Sequence, residues 1–221
     1  MLTSASGSIG ITDVPIKLID TAITLYGERG LHAVSSRQIQ REAGVLNEAA
    51  VRYYFGNKNG LVSACLEDIF AGYKPLFDAA WDELGDLMNS GRVRVIDVVA
   101  AFVMSFWELH LQRPAAVQMV ARMIREEGAP GQAMLIDHFG EVIWRIEDAL
   151  RDLLPNKSPE ALRLHVFLAI NNTVNGMVDQ GLLEQLPDPR QPDRPFALPQ
   201  DALARGFIEY LAAGLSAESV V

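Results

Sequence analysis

Gly30 and Gly44 punctuate the stretch from Ile16 to Leu61 into three helical pieces, and this spacing constrains the fold more than any other feature of the chain. Ile16, Ile19, Ile23 and Tyr26 recur at helical spacing, and Gly30 ends that helix behind Glu28 and Arg29. Ser35 or Ser36 caps a second helix that carries Ile39 and Ala43 inward. Gly44 then makes a tight turn, and Asn47 caps a third, short helix presenting Ala50, Val51 and Tyr54. Two short helices joined by a glycine turn and braced by a preceding helix predict a helix-turn-helix.

A helix-turn-helix lays its second helix in the DNA major groove, where N-terminal residues meet base edges. The residues so placed here are Asn47, Glu48 and Ala49, with Arg52 and Tyr53 one turn further on. Asn pairs with adenine, Glu accepts from cytosine and Arg grips guanine. Tyr53, Tyr54 and Lys58 suit phosphate contacts. Ser36 and Arg37, with the backbone amides at the start of the second helix, suit another. Glu48 has two local readings as well, a helix cap or an i, i+4 pair with Arg52, and a merely solvated helix face would use the same residue types. The segment before Ile16 has no Lys or Arg, which argues against a minor-groove arm.

The charge distribution is consistent with such a head. The whole chain carries a formal net charge of -9, yet up to Gly60 six Lys/Arg (Lys17, Arg29, Arg37, Arg41, Arg52, Lys58) stand against five Asp/Glu (Asp13, Asp20, Glu28, Glu42, Glu48). A near-neutral head on an acidic body binds phosphates where its cations converge, while the body repels DNA and orients the head towards it. Binding should therefore lean on a dimer and a defined operator.

The order of these features resembles the N-terminal domain of the tetracycline-repressor (TetR) family of transcription factors. The residues that carry the resemblance are Glu28-Arg29-Gly30, Glu42-Ala43-Gly44-Val45, Tyr54-Phe55, and Lys58 followed by Leu61. The resemblance implies backbone contacts at Tyr53, Tyr54 and Lys58, a C-terminal domain that binds a small ligand and forms the dimer, and double-stranded operator DNA as a partner. Two departures stand out: the stretch from Gly44 to Tyr54 is one residue longer than the commonest form, and Arg52 stands where the family usually has tyrosine.

The remainder reads as helical throughout, so the fold class is all-α: a three-helix head at 14–60 behind a flexible segment at 1–13, and a helical ligand-binding and dimerisation domain at 61–221. A helix is expected from Asn57, kinked or ended near Tyr73 by Pro75. Further helical blocks are Pro75 to Met88, Val93 to Leu111, Pro114 to Glu127, Gln132 to Leu154, Pro159 to Leu186 and Pro199 to Leu215. Breaks fall at Ser90-Gly91, Arg113-Pro114, Gly128 to Gly131, Pro155 to Pro159 and the proline-rich Pro187 to Pro199, an expected exposed loop.

Methionine and aromatic residues concentrate in the central blocks: Phe102, Met104, Phe106, Trp107, Met119, Met123, Phe139, Ile143 and Trp144. They fit plain core packing, and in the context of the resemblance they fit an apolar, adaptable pocket. His110, His138, His165, Asn171, Asn172 and Asn175 interrupt apolar helices, and Asn171 and Asn175 share a helix face. Buried polar groups need partners, which a ligand, the core or a dimer interface would supply. The candidate ligand-binding residues are Phe102, Phe106, Trp107, His110, Met119, Met123, Phe139, Ile143, Trp144, Asn171 and Asn175, for a small hydrophobic or amphipathic effector such as an aromatic, terpenoid or acyl compound.

Two apolar stripes, Leu162, Val166, Ile170, Val174 and Met177 on one long helix and Leu203, Phe207, Tyr210 and Leu211 on the last, suit either the monomer core or a homodimer through an intersubunit four-helix bundle. A two-fold dimer would set its reading helices about 34–36 Å apart, matching a palindromic operator.

Enzyme signatures are absent: no P-loop, GxGxxG, GxSxG, HExxH or paired CxxC occurs, the four histidines lack metal-ligand spacing, and no cofactor or metal is expected. Cys65 has no internal disulfide partner, the N-terminus reads as neither signal nor transit peptide, and no segment is charge-free enough to cross a membrane, the nearest being Val93 to Leu111; the expected location is the cytoplasm. The reading is a ligand-responsive repressor. The alternative is a helical small-molecule carrier or enzyme with a degenerate head.

Overall fold

The computed structural model describes residues 13–185, 190 and 199–218, and every regular element among them is a helix. Of the expected flexible segment only Asp13 is described, as the first residue of α1 (Asp13–Arg29), and of the proline-rich stretch only Arg190 and Pro199.

The head forms from local signals that agree. Helix α1 buries Leu18, Ala22, Ile23, Leu25 and Tyr26, while Ile16 faces solvent, so the inward face is rotated from the expected isoleucine stripe. Ser35, not Ser36, caps α2 (Ser36–Glu42): its hydroxyl accepts from the Gln38 amide at 3.2 Å. Gly44 takes φ +69, the left-handed region where a β-carbon is strained, and so closes the turn. Buried Gln40 pins that turn by donating to the Asn47 carbonyl at 3.1 Å. Helix α3 (Ala50–Phe55) is short and turns Ala50 and Val51 into the core.

Helix α4 (Lys58–Asn89) starts at an Asn57 cap, whose Oδ1 accepts from the Gly60 amide at 3.0 Å, and it runs through Pro75 without a break. The expected end near Tyr73 is thus corrected. Pro75 lies on the solvent side, where water can take up the carbonyl it leaves without a donor, while Tyr73 and Phe77 on either side are fully buried and hold the helix together.

The body follows as α5 (Val95–Gln112), α6 (Pro114–Glu126), α7 (Gly128–Leu153), α8 (Pro159–Val178), α9 (Gly181–Gln185) and α10 (Gln200–Ser216). Two further boundaries differ from expectation. Helix α7 begins at Gly128, because Pro130 falls in the first turn where no amide donor is required, and the block expected to reach Leu186 is divided at Asp179-Gln180 into α8 and α9. Helix α5 is long and apolar enough to cross a membrane, contrary to the sequence expectation, yet it occupies the middle of the bundle. Val98, Phe102, Val103, Phe106 and Leu109 are buried there, and α4, α6, α7, α8 and α10 all pack on it.

Head and body share one core. Helix α1 lies against α6, and Gly27 permits their close approach: a β-carbon there would sit 2.6 Å from the Ala115 carbonyl oxygen. On α6, Arg122 donates from Nε to the Gly27 carbonyl at 2.8 Å and from Nη2 to the Glu28 carbonyl at 3.0 Å. These are last-turn carbonyls of α1 that need external donors, and a cation there also suits the helix dipole.

Candidate nucleic-acid interface and ligand cavity

The head presents a continuous exposed surface from the start of α2 across the turn to α3. Arg37, Arg41, Asn47, Glu48, Ala49, Arg52 and Tyr53 are all exposed on it, with Ser36 and Tyr54 half-buried at its edges. The structure thus brings the expected DNA-facing residues onto one surface, with their side chains arranged differently from expectation. Glu48 pairs with Arg37 at 2.7 Å, not with Arg52, and raises the guanidinium pKa through that hydrogen bond. Both are largely exposed, so the pair contributes little stability and yields readily to a phosphate. Asn47 does not cap α3 as expected, since Ala49 is the N-cap and has no side-chain cap bond; the Asn47 Oδ1 instead accepts from the Ala49 amide at 2.9 Å in the turn before the helix. Tyr54 braces the exposed Tyr53 edge-on, with ring centroids 4.8 Å apart.

Lys58 departs furthest from its expected role. Its Nζ donates to the carbonyls of Leu31 and Val34, the latter at 2.7 Å, and so pins the loop between α1 and α2. Leu46, 98% exposed at the tip before α3, was missed by sequence reasoning. Its only signal was an apolar residue beside Asn47 in the turn. At such a tip an apolar side chain suits a thymine methyl.

In the body a cavity of about 540 Å³ lies among α5, α6, α7 and α8. Six of the expected ligand residues line it: Phe102, Phe106, Phe139, Ile143, Trp144 and Asn171. Five do not. Trp107 is buried beside His110, and Met119 and Met123 are fully buried in the core, one helical position away from the lining residues Val120 and Ile124. His110 is half-buried, its Nε2 3.4 Å from the Gln180 amide nitrogen, and burial holds its imidazole below the usual pKa range, favouring the neutral form. Asn175 lies behind Asn171 and donates to its Oδ1 at 2.6 Å and its carbonyl at 3.0 Å. Asn171 itself lines the cavity.

The polar pair that sequence reasoning missed is Glu147 and Arg163. Glu147 is 4% exposed, and its carboxylate accepts from Arg163 Nε and Nη2 at 3.1 and 3.0 Å and from Arg151 Nη2 at 2.9 Å. The Arg163 hydrogen bond is the main reason its pKa lies below the ordinary glutamate value, so it is a carboxylate at neutral pH. The available signal was a carboxylate one turn beyond Ile143, on the apolar face of α7. Ile136, Trp144 and Phe167 border the opening and are more than half exposed.

The expected dimer stripe on α8 is corrected in the same way. Leu162, Val166, Val174 and Met177 are buried within the monomer, and Ile170 lines the cavity. The apolar residues that α8 leaves outside are Leu164, Phe167 and Leu168. On α10 Leu211 is buried, Leu203 and Phe207 are half-buried, and Tyr210 is exposed.

Comparison with known proteins supports both parts. The family model for bacterial regulatory proteins of the tetR family matches residues 18–65, and the model for the tetracyclin repressor-like C-terminal domain matches residues 100–214, more than half of the chain. Among characterised sequences, the Probable HTH-type transcriptional regulator YttP of Bacillus subtilis (strain 168) is 33% identical over 64 residues, which span 29% of this chain and 30% of that protein. Among solved structures, a TetR-like transcriptional regulator from Rhodococcus sp. RHA1 superposes with a TM-score of 0.66 at 15% identity, covering 96% of this chain and 100% of the other. FadR from Bacillus subtilis, solved in complex with stearoyl-CoA, gives 0.65 at 13% identity, covering 90% and 98%. The ketosteroid transcriptional regulator KstR2 of Mycobacterium tuberculosis gives 0.60 at 16%, covering 97% and 100%. With its reading surface, its cavity and a family match over both, this chain belongs to the tetR family of bacterial regulatory proteins.

Proposed function

We propose that the chain is a cytoplasmic, homodimeric transcriptional repressor that leaves a palindromic operator when a small hydrophobic or amphipathic effector enters the cavity. In this reading residues 14–60 form the DNA-reading head and 61–221 the effector-binding and dimerisation part, with α4 crossing the boundary. Ser36, Arg37, Asn47, Glu48, Ala49, Arg52, Tyr53, Tyr54 and Lys58 act at the DNA, and Leu46 joins them. The bound molecules of FadR and the ketosteroid class of KstR2 support an apolar effector here. The exposed apolar residues of α8 and α10 support the dimer, because a second copy would cover them.

One observation carries the mechanism. Helix α6 lines the cavity with Val120 and Ile124, and with Arg122 and Ala115 it holds the end of α1. An effector that prefers a displaced α6 shifts α1, and with it the spacing of the two heads. The operator is released in proportion to that preference. Pro75, by contrast, lies within the continuous α4 and offers no break through which the head could move separately. The test is a mobility shift on DNA upstream of the gene at near-physiological salt, with excess unrelated competitor and then with candidate effectors. A competitor-resistant complex dissolved by a ligand supports the reading. Ligand binding with no sequence-selective DNA complex would favour the carrier or enzyme.

A further inference from the structure

We infer that the effector is an elongated, mostly hydrocarbon anion, and that Arg163 is the anchor for its negative head group; the inference rests on the cavity being the effector site. The lining residues run from Gln132 to Glu147 on α7 and from Arg163 to Val174 on α8. At the helical rise per residue these spans are about 22 and 16 Å, so the cavity is a slot between two helices. Its walls are apolar along most of that length, and both charged lining residues, Glu147 and Arg163, stand at one end. A ligand that fills the slot therefore has a long apolar part and carries its charged group at that end, since Gln132 and Asn171 towards the other end offer only neutral amides.

The arrangement at that end favours an anion. Glu147 engages one edge of the Arg163 guanidinium through Nε and Nη2, while Nη1 has no partner among the described residues and the side chain is 72% exposed. A guanidinium fixed on one edge by a carboxylate presents its other donors in a set plane to a second carboxylate or phosphate. Arg151 shares the same Glu147 carboxylate, and its own further partner, Asp148, is largely exposed and screened by water. Two guanidiniums thus converge on the one buried carboxylate, Glu147, and of the two only Arg163 lines the cavity. A cationic head group would meet Arg163 first, and a neutral one would leave the guanidinium donors to water.

The test uses the full chain and three probes of equal length: hexadecanoate, hexadecan-1-ol and hexadecylamine, each below its aggregation concentration, measured by titration calorimetry. A charge-assisted contact to Arg163 should make the acid bind about tenfold or more tightly than the alcohol, with the amine weakest. Arg163→Gln should abolish the advantage of the acid while leaving the alcohol where it was, and Arg163→Lys should restore part of it. Thermal melts establish that both variants are folded. Equal binding of acid and alcohol, an advantage that survives Arg163→Gln, or no binding of any probe would overturn the inference. Failure of the effector reading looks different: hexadecanoate would bind in an Arg163-dependent way and leave the operator complex intact.

Discussion

Gly27→Ala tests the contact through which the cavity and the head are proposed to communicate. In an ordinary helix interior alanine is more favourable than glycine by about 0.8–1 kcal/mol. At Gly27 the new β-carbon would lie 2.6 Å from the Ala115 carbonyl oxygen and 3.4 Å from two further backbone atoms of that residue. Backbone cannot rotate away, so α1 and α6 must part by roughly half an ångström in a close-packed interface. Overpacking of this kind costs about 1–3 kcal/mol. The parting also stretches the Arg122 bonds to the Gly27 and Glu28 carbonyls, which adds about 1 kcal/mol for a partly solvated pair. The net is a loss of about 2 kcal/mol, or roughly 4–8 °C in melting temperature for a chain of this size. Gly85→Ala is the control: it lies inside α4 with nothing within 4 Å of the added carbon, and it should raise the melting temperature by roughly 2–4 °C. Differential scanning fluorimetry measures both. If Gly27→Ala melts as high as the control, the two helices are not in the tight contact described and the coupling route loses its basis.

Other substitutions separate roles within the two sites. Lys58→Ala should lower the melting temperature as well as operator affinity, because the loss of its Nζ frees two carbonyls at a cost of about 1–3 kcal/mol; a variant of wild-type stability with weaker operator binding would return Lys58 to a pure phosphate role. Arg52→Ala should relax preference at one base position without changing stability, read by binding to single-base operator variants. Glu147→Gln should be less stable than the wild type at pH 7, and the gap should close in acid. The folded pKa of Glu147 lies below its ordinary 4.5, so its stabilisation is present above that value and is lost as pH falls through the folded pKa. Melting curves from pH 7 to pH 3 check this, and a constant gap would show that the carboxylate charge is not what holds the cluster.

What was legible in the sequence was local chemistry. Ser35, Gly44 and Asn57 act through their own hydroxyl, backbone or amide on residues nearby, so a one-dimensional reading locates the head. What was not legible depends on tertiary phase. Met119 and Val120 are neighbours in sequence but stand about 100° apart around α6, enough to put one in the core and the other at the cavity. The same rotation separates the buried Val166 from the exposed Phe167 on α8. Pro75 reads as a break because its own ring chemistry is local, whereas the packing of Tyr73 and Phe77 that carries α4 past it is not. Glu147 and Arg163 are sixteen residues apart, and only the hairpin of α7 and α8 brings them together.

The most direct test of the account is a selection of DNA ligands for the purified chain from a random-sequence pool near physiological salt. A repressor of this kind should enrich an inverted repeat, with half-sites about one helical turn apart or a multiple of it, bound by two chains or an even number. The Arg52→Ala protein should enrich the same repeat with one position relaxed in each half. If successive rounds enrich no sequence while the protein stays folded and its cavity binds hexadecanoate, the head does not read DNA and the repressor account is contradicted.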